Sequence, residues 1–221
     1  MSALVFPRQP YRRASRKLQS WWGRAFQRTV EELAYDETQL LHARALARSG
    51  RLGGIVVDTG RFAAAVAEEA GVWTVTGAVP ALGEDERAAF LEVVTGRAEV
   101  ILEGDLPHGI VEHAEEAGVE LVPYGVELTA TCSCPAWQRA SRHAGMCEHA
   151  LAVLIQVTDL LDRDPLVLLR LRGISRDDLR PRRRHDETVA RRVEEPDELE
   201  VAVDAALRAA RLLEEAGETD G

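Results

Sequence analysis

All three cysteines of the chain fall between residues 132 and 149, as Cys132-Ser-Cys134, twelve residues, then Cys147-Glu-His149. Thiolate and imidazole are donors that zinc prefers, and two close donor pairs can supply the four corners of its tetrahedron. Cys132 and Cys134 are two residues apart, so at a strand end or tight turn both sulfurs can converge on one ion. Cys147 and His149 open the apolar run 150–155, which reads as the start of a buried helix. A helix N-terminus favours the thiolate form that binds metal. Four protein donors close the coordination sphere, which is the arrangement of a structural ion rather than a catalytic one. Two alternatives stay open. His143, four residues before Cys147, competes with His149 for the fourth position, and a Cys-x-Cys pair with a spare thiol can also do redox chemistry.

Little else in the sequence is arranged for catalysis. There is no Gly-rich phosphate loop, no Gly-x-Ser-x-Gly turn and no His-Glu-x-x-His pair. His42, His108, His113 and His185 have no catalytic partner at a meaningful spacing. Trp73 and Trp137 have the type to stack on bases, but a tryptophan three residues after a metal ligand more often packs over the site. Trp21 and Trp22 read as helix packing. The expectation is a non-enzymatic protein without a small-molecule substrate.

The Cys-x-Cys and Cys-x-His pairs, with Pro135 and Trp137 just after the first, resemble the SWIM zinc finger. Residues 160–173, Trp21-Trp22-Gly23-Arg24 and residues 102–107 are similar to stretches of actinobacterial SWIM proteins, so the resemblance spans roughly residues 20–180. It implies a first cysteine pair on a β-hairpin, a second pair opening a helix, and Zn2+ held by Cys132, Cys134, Cys147 and His149. It also implies binding to DNA or RNA, or to a protein partner such as a Swi/Snf-like helicase-type ATPase. The loop between the pairs is longer than in compact bacterial members, and Glu148 stands where a basic residue is common, which weakens any phosphate contact by that loop.

The charge is unevenly placed. The chain of 221 residues carries a net −10, yet its first thirty residues hold seven Lys or Arg and no acid. Residues 170–192 carry nine arginines against four acids, whereas residues 194–221 hold ten acids and two arginines. Basic clusters bind phosphate by releasing counterions, so Arg12, Arg13, Arg16, Lys17, Arg182, Arg183 and Arg184 are the candidate nucleic-acid contacts. The acidic tail is expected to compete for that surface in cis. Cysteines confined to one metal motif indicate a reducing compartment, and no run has the length of a transmembrane helix, so a cytoplasmic protein without membrane contact is expected. The basic N-terminus has the composition of a transit peptide, but Trp21-Trp22-Gly23 belongs to the family-like region and reads as mature protein.

The elements that must position the ligands follow from periodicity. Apolar spacing predicts helices over 21–34, 37–48, 84–95, 110–117, 147–161 and 165–171, with Ser175 capping a last short helix. Residues 54–58 and 61–68 flank Thr59-Gly60 and read as a hairpin, which leans on the resemblance because the alanine run 63–67 fits strand or helix; 71–79 reads as a third strand. Residues 120–124 and 126–133 are expected as the strands carrying the first cysteine pair. Leu199, Val203, Ala206, Leu207, Ala210 and Leu213 suggest a C-terminal amphipathic helix. The fold class is α+β: a small antiparallel sheet with flanking helices and a ββα-like treble of hairpin and helix around one structural zinc. The expected organisation is a flexible basic arm (1–19), an α+β N-terminal domain (20–118), the finger with its following helices (119–184), and a charged linker with an acidic helix (185–221).

Overall fold

The computed structural model describes residues 3–140 and 146–180. The expectations placed on His143, Arg182, Arg183, Arg184, His185 and the C-terminal helix lie outside these residues.

Five antiparallel strands form one sheet in chain order: β1 (Leu4–Phe6), β2 (Leu52–Asp58), β3 (Arg61–Glu68), β4 (Gly71–Ala78) and β5 (Thr129–Cys132). The strands alternate, as a half-buried sheet must. Leu52, Ile55 and Val57 of β2, Phe62, Ala64 and Val66 of β3, and Val75 of β4 face the core. The opposite face shows Val5, Val56, Ala63, Thr76 and Thr131 in one row across all five strands. Gly60 closes the β2–β3 turn at a positive φ of 69°, a conformation that costs glycine nothing.

Helices flank the sheet. α1 (Trp21–Glu31) is capped by Ser20 and α2 (Glu37–Arg48) by Asp36, both polar side chains that accept a free backbone N–H of the first turn. α3 (Glu84–Val93), α4 (Ala98–Leu102) and α5 (His108–Glu116) follow β4. After β5 come α6 (Pro135–Ala140), α7 (Glu148–Leu161), α8 (Pro165–Leu171) and α9 (Arg176–Leu179), the last capped by Ser175 as expected. α7 is apolar on nearly every side, so it must sit inside the protein. It packs against α1, α2, α8, β4 and β5, with only Glu148 and Ile155 not buried.

Two expectations need correction, and one helix was not expected. Residues 120–124 form no strand. Pro123 has no N–H to donate, its carbonyl accepts from the Thr29 hydroxyl (3.0 Å), and the Glu120 carbonyl accepts from Arg172 (2.8 Å). β5 therefore pairs with β4, Val75 opposite Cys132, and a 3-10 turn at Gly125–Glu127 precedes it. Helix α6 was not read from the sequence. The N-terminal residues also differ from a flexible arm: Leu4, Val5 and Phe6 pair with Val57, Val56 and Ile55. Beyond them Arg8 donates to the Gly50 carbonyl (2.6 Å) and the Arg12 N–H to the Arg48 carbonyl (2.9 Å). A three-residue strand is too short to show a period, so its partner decides it.

Candidate metal centre

The first cysteine pair owes its position to strand alternation. Thr129 and Thr131 face solvent while Ala130 and Cys132 face inward, so Ser133 turns out and Cys134 in. Ser133 ties this end of β5 to β4: its N–H donates to the Thr74 carbonyl (3.0 Å) and its hydroxyl accepts from the Thr74 N–H (2.9 Å). Pro135 then starts α6, and the Trp137 backbone N–H points back at Cys134 Sγ (3.3 Å). Trp137 is half-buried against the core, which supports packing over base stacking. Trp21 and Trp22 also pack, edge to face, with their indole N–H groups on the Leu106 and Leu161 carbonyls.

The second pair comes from the start of α7. Cys147 is its N-cap residue, in an extended conformation, and His149 lies in its first turn. Gln39 of α2 donates to the Met146 carbonyl (2.7 Å) and so fixes the approach to the helix. The result is one cluster: the ligand atoms of Cys132, Cys134, Cys147 and His149 all lie within 4.8 Å of one another. The three cysteines are free thiols and buried. His149 Nε2 lies 3.1 Å from Glu68 Oε2, whereas Nδ1 is buried and has no hydrogen-bond partner. A buried nitrogen without a partner is costly, and a metal ion among the sulfurs would satisfy it. The donor set and the orphaned nitrogen both fit zinc.

The thiols of the metal-free cluster are unequal. Burial pushes the Cys147 thiol far up; a hydrogen bond with the Ala150 backbone opposes this, and the neighbouring Cys132 and Cys134 charges add to the rise. The backbone N–H at the helix N-terminus thus does favour the Cys147 thiolate, as expected, but burial outweighs it. Burial raises Cys132 as well. Burial also opposes ionisation of Cys134, but the Trp137 N–H, His149 and the other two cysteines together carry its thiol below the usual range.

Residues 117–157 match the SWIM zinc finger family model. The segment that holds all four candidate ligands is thus similar to the SWIM zinc finger. An uncharacterized protein of Mycobacterium tuberculosis is 28% identical over 166 residues, covering 73% of this chain and 57% of that relative. The chain thus spans a little over half the length of the curated relative it matches. No solved structure matches the chain. Among the described residues, no helix is long and apolar enough to cross a membrane.

The candidate phosphate-binding residues are split. Arg12 pairs with Asp159 of α7 (2.5 Å) and Arg16 lies 3.6 Å from Asp162 at its end, whereas Arg13 and Lys17 are exposed. Sequence reading missed two contributors to this basic region, Arg48 of α2 and the exposed Arg163. Burial, then the charges of Arg16 and Arg12, depress Arg163, against the opposing charges of Asp159 and Asp162. The sequence reading also missed Glu68, because it lies 81 residues before His149 and no spacing rule connects them. His108 pairs with Glu112 on one helix face, and His42 with Glu148 at the surface.

Proposed function

We propose that the protein is a non-catalytic binding module in which one structural zinc, held by Cys132, Cys134, Cys147 and His149, fixes α7, and α7 presents a basic surface to nucleic-acid phosphates. One observation carries this reading: α7 holds the basic N-terminal segment. Asp159 and Asp162 engage Arg12 and Arg16, and Asp162 Oδ1 also accepts from the backbone N–H groups of Gln19 and Ser20 (2.9 and 2.8 Å). Arg12 and Arg16 then act as anchors, and Arg13, Lys17, Arg48 and Arg163 are the residues left for phosphate. Arg182, Arg183 and Arg184 add further contacts. Zinc is the hinge of the arrangement because it joins β5 to the first turn of α7, and structural sites of this kind contribute directly to folding.

The test is fluorescence anisotropy of the zinc-loaded protein against labelled single- and double-stranded DNA and RNA. Each phosphate neutralised on duplex DNA contributes a slope of about −0.9 to log affinity against log salt. Arg13, Lys17, Arg48 and Arg163 alone thus predict about a 100-fold loss between 50 and 200 mM salt. Alanine at both Arg13 and Lys17 should flatten the slope by about two units. Absence of binding at low salt removes this reading.

A second reading is a protein adaptor that docks on a helicase-type ATPase without binding DNA itself. The net charge of −10 and the exposed apolar side chains of the outer sheet face, Val5 at 73% and Val72 at 65% exposure, favour it. A pull-down with such an ATPase, indifferent to salt and to the arginine substitutions, distinguishes it from the first.

A further inference from the structure

The imidazole of His149 has two nitrogens, and each has a different environment. Nε2 is 3.1 Å from Glu68 Oε2, at the end of β3, while Nδ1 is buried without a partner. Glu68 is itself held. The same oxygen accepts from the Trp73 indole N–H (3.2 Å), and its residue pairs with Gly71 across the tight β3–β4 turn. The Trp73 ring stands 6.4 Å from the His149 ring, centre to centre, and is half-buried against the core. The His149 side chain is 11% exposed, so its ring has little room to turn.

We propose that Glu68 is the positioning residue of the zinc site: it accepts the Nε2–H of His149, so that Nδ1 is the nitrogen presented to the metal, and Trp73 holds Glu68 in place. A neutral imidazole carries one N–H and one lone pair, and a hydrogen bond to one nitrogen decides which of the two is the ligand. A carboxylate in this place also strengthens the imidazole as a donor, and such outer partners are worth 10- to 100-fold in metal affinity. Glu68 and Trp73 both precede the matched finger at 117–157. Zinc affinity of this protein thus depends on the β3–β4 hairpin, and the finger is completed by a part of the chain outside it.

This rests on the zinc reading above, and the experiment separates the two. Zinc affinity of the full chain is measured by competition with a chromogenic chelator, for the parent, Glu68→Gln and Glu68→Ala. The expected result is about a 10- to 100-fold weakening for Glu68→Ala and a smaller one for Glu68→Gln, which keeps an acceptor but no charge. Nitrogen-15 spectra of the zinc-loaded parent should show the proton of His149 on Nε2. Affinities of both variants within twofold of the parent, or a proton on Nδ1, overturn the proposal. If Glu68→Ala does not fold, Glu68→Gln and the spectra of the parent decide. Failure of the parent to bind zinc at all would instead remove the metal-site reading itself.

Discussion

Gly23 lies in the first turn of α1, where alanine would ordinarily stabilise the helix by about 0.5–1 kcal/mol. Here the sign reverses. A Cβ at Gly23 would meet Asp162 Oδ1 at 2.6 Å, Ser20 Oγ at 2.7 Å and Asp162 Cβ at 2.8 Å. The Asp162 side chain is fully buried, and its Oδ1 accepts from the Gln19 N–H, the Ser20 N–H and the Ser20 hydroxyl at 2.8–2.9 Å. Making room for a methyl group displaces this carboxylate, and each hydrogen bond to a charged acceptor is worth about 1.5–3 kcal/mol. Loss of two, offset by the helix gain, gives a net cost for Gly23→Ala of about 3 kcal/mol. For a chain of this size that is about 6–12 °C in Tm. Urea denaturation of the zinc-loaded protein measures it, and a double-mutant cycle shows its origin. Asp162→Ala alone should cost about 3–5 kcal/mol, since it leaves buried donors without their charged acceptor. Adding Gly23→Ala to it should cost almost nothing, because the clash is gone and Ser20 can rotate. An additive cycle, or a Gly23→Ala protein as stable as the parent, would refute the claim that Asp162 locks the N-terminal segment to α7.

Two further perturbations test the site and the sheet. Serine at Cys134 or at Cys147 should release zinc and destabilise the protein by more than about 3 kcal/mol, because the ion joins β5 to α7; metal analysis and melting check it, and one retained equivalent of zinc in both variants would refute the ligand set. Gly77→Ala would place its Cβ 2.0 Å from Cζ of the buried Phe62, so it should cost about 2–3 kcal/mol by overpacking, and its melting point should recover when Phe62 is also replaced by leucine.

The legibility of this protein in its sequence divides along physical lines. Elements whose pattern is local were readable: α7 from an unbroken apolar run, α2 from its stop at Ser49-Gly50, β4 from its β-branched and aromatic residues, α9 from the Ser175 cap. The four ligands were readable as a candidate set for a related reason. Donor chemistry and spacing are carried by the residues themselves, and both pairs sit within an eighteen-residue span. Contacts between distant segments were not readable. Residues 120–124 have strand composition, but Thr29 and Arg172 occupy carbonyls that a strand partner would need. Leu4–Phe6 are too few to show a period, and only pairing with β2 makes them a strand. Arg12 and Arg16 look like free phosphate ligands until Asp159 and Asp162 are brought beside them. Glu68 bears no sequence relation to His149, and the 3.1 Å between them exists only because β3, β4 and α7 pack together. The sequence by itself determined which atoms can bind a metal. Tertiary structure decided which nitrogen of His149 is left for it and which basic residues remain free, because both depend on partners that the chain brings together only on folding.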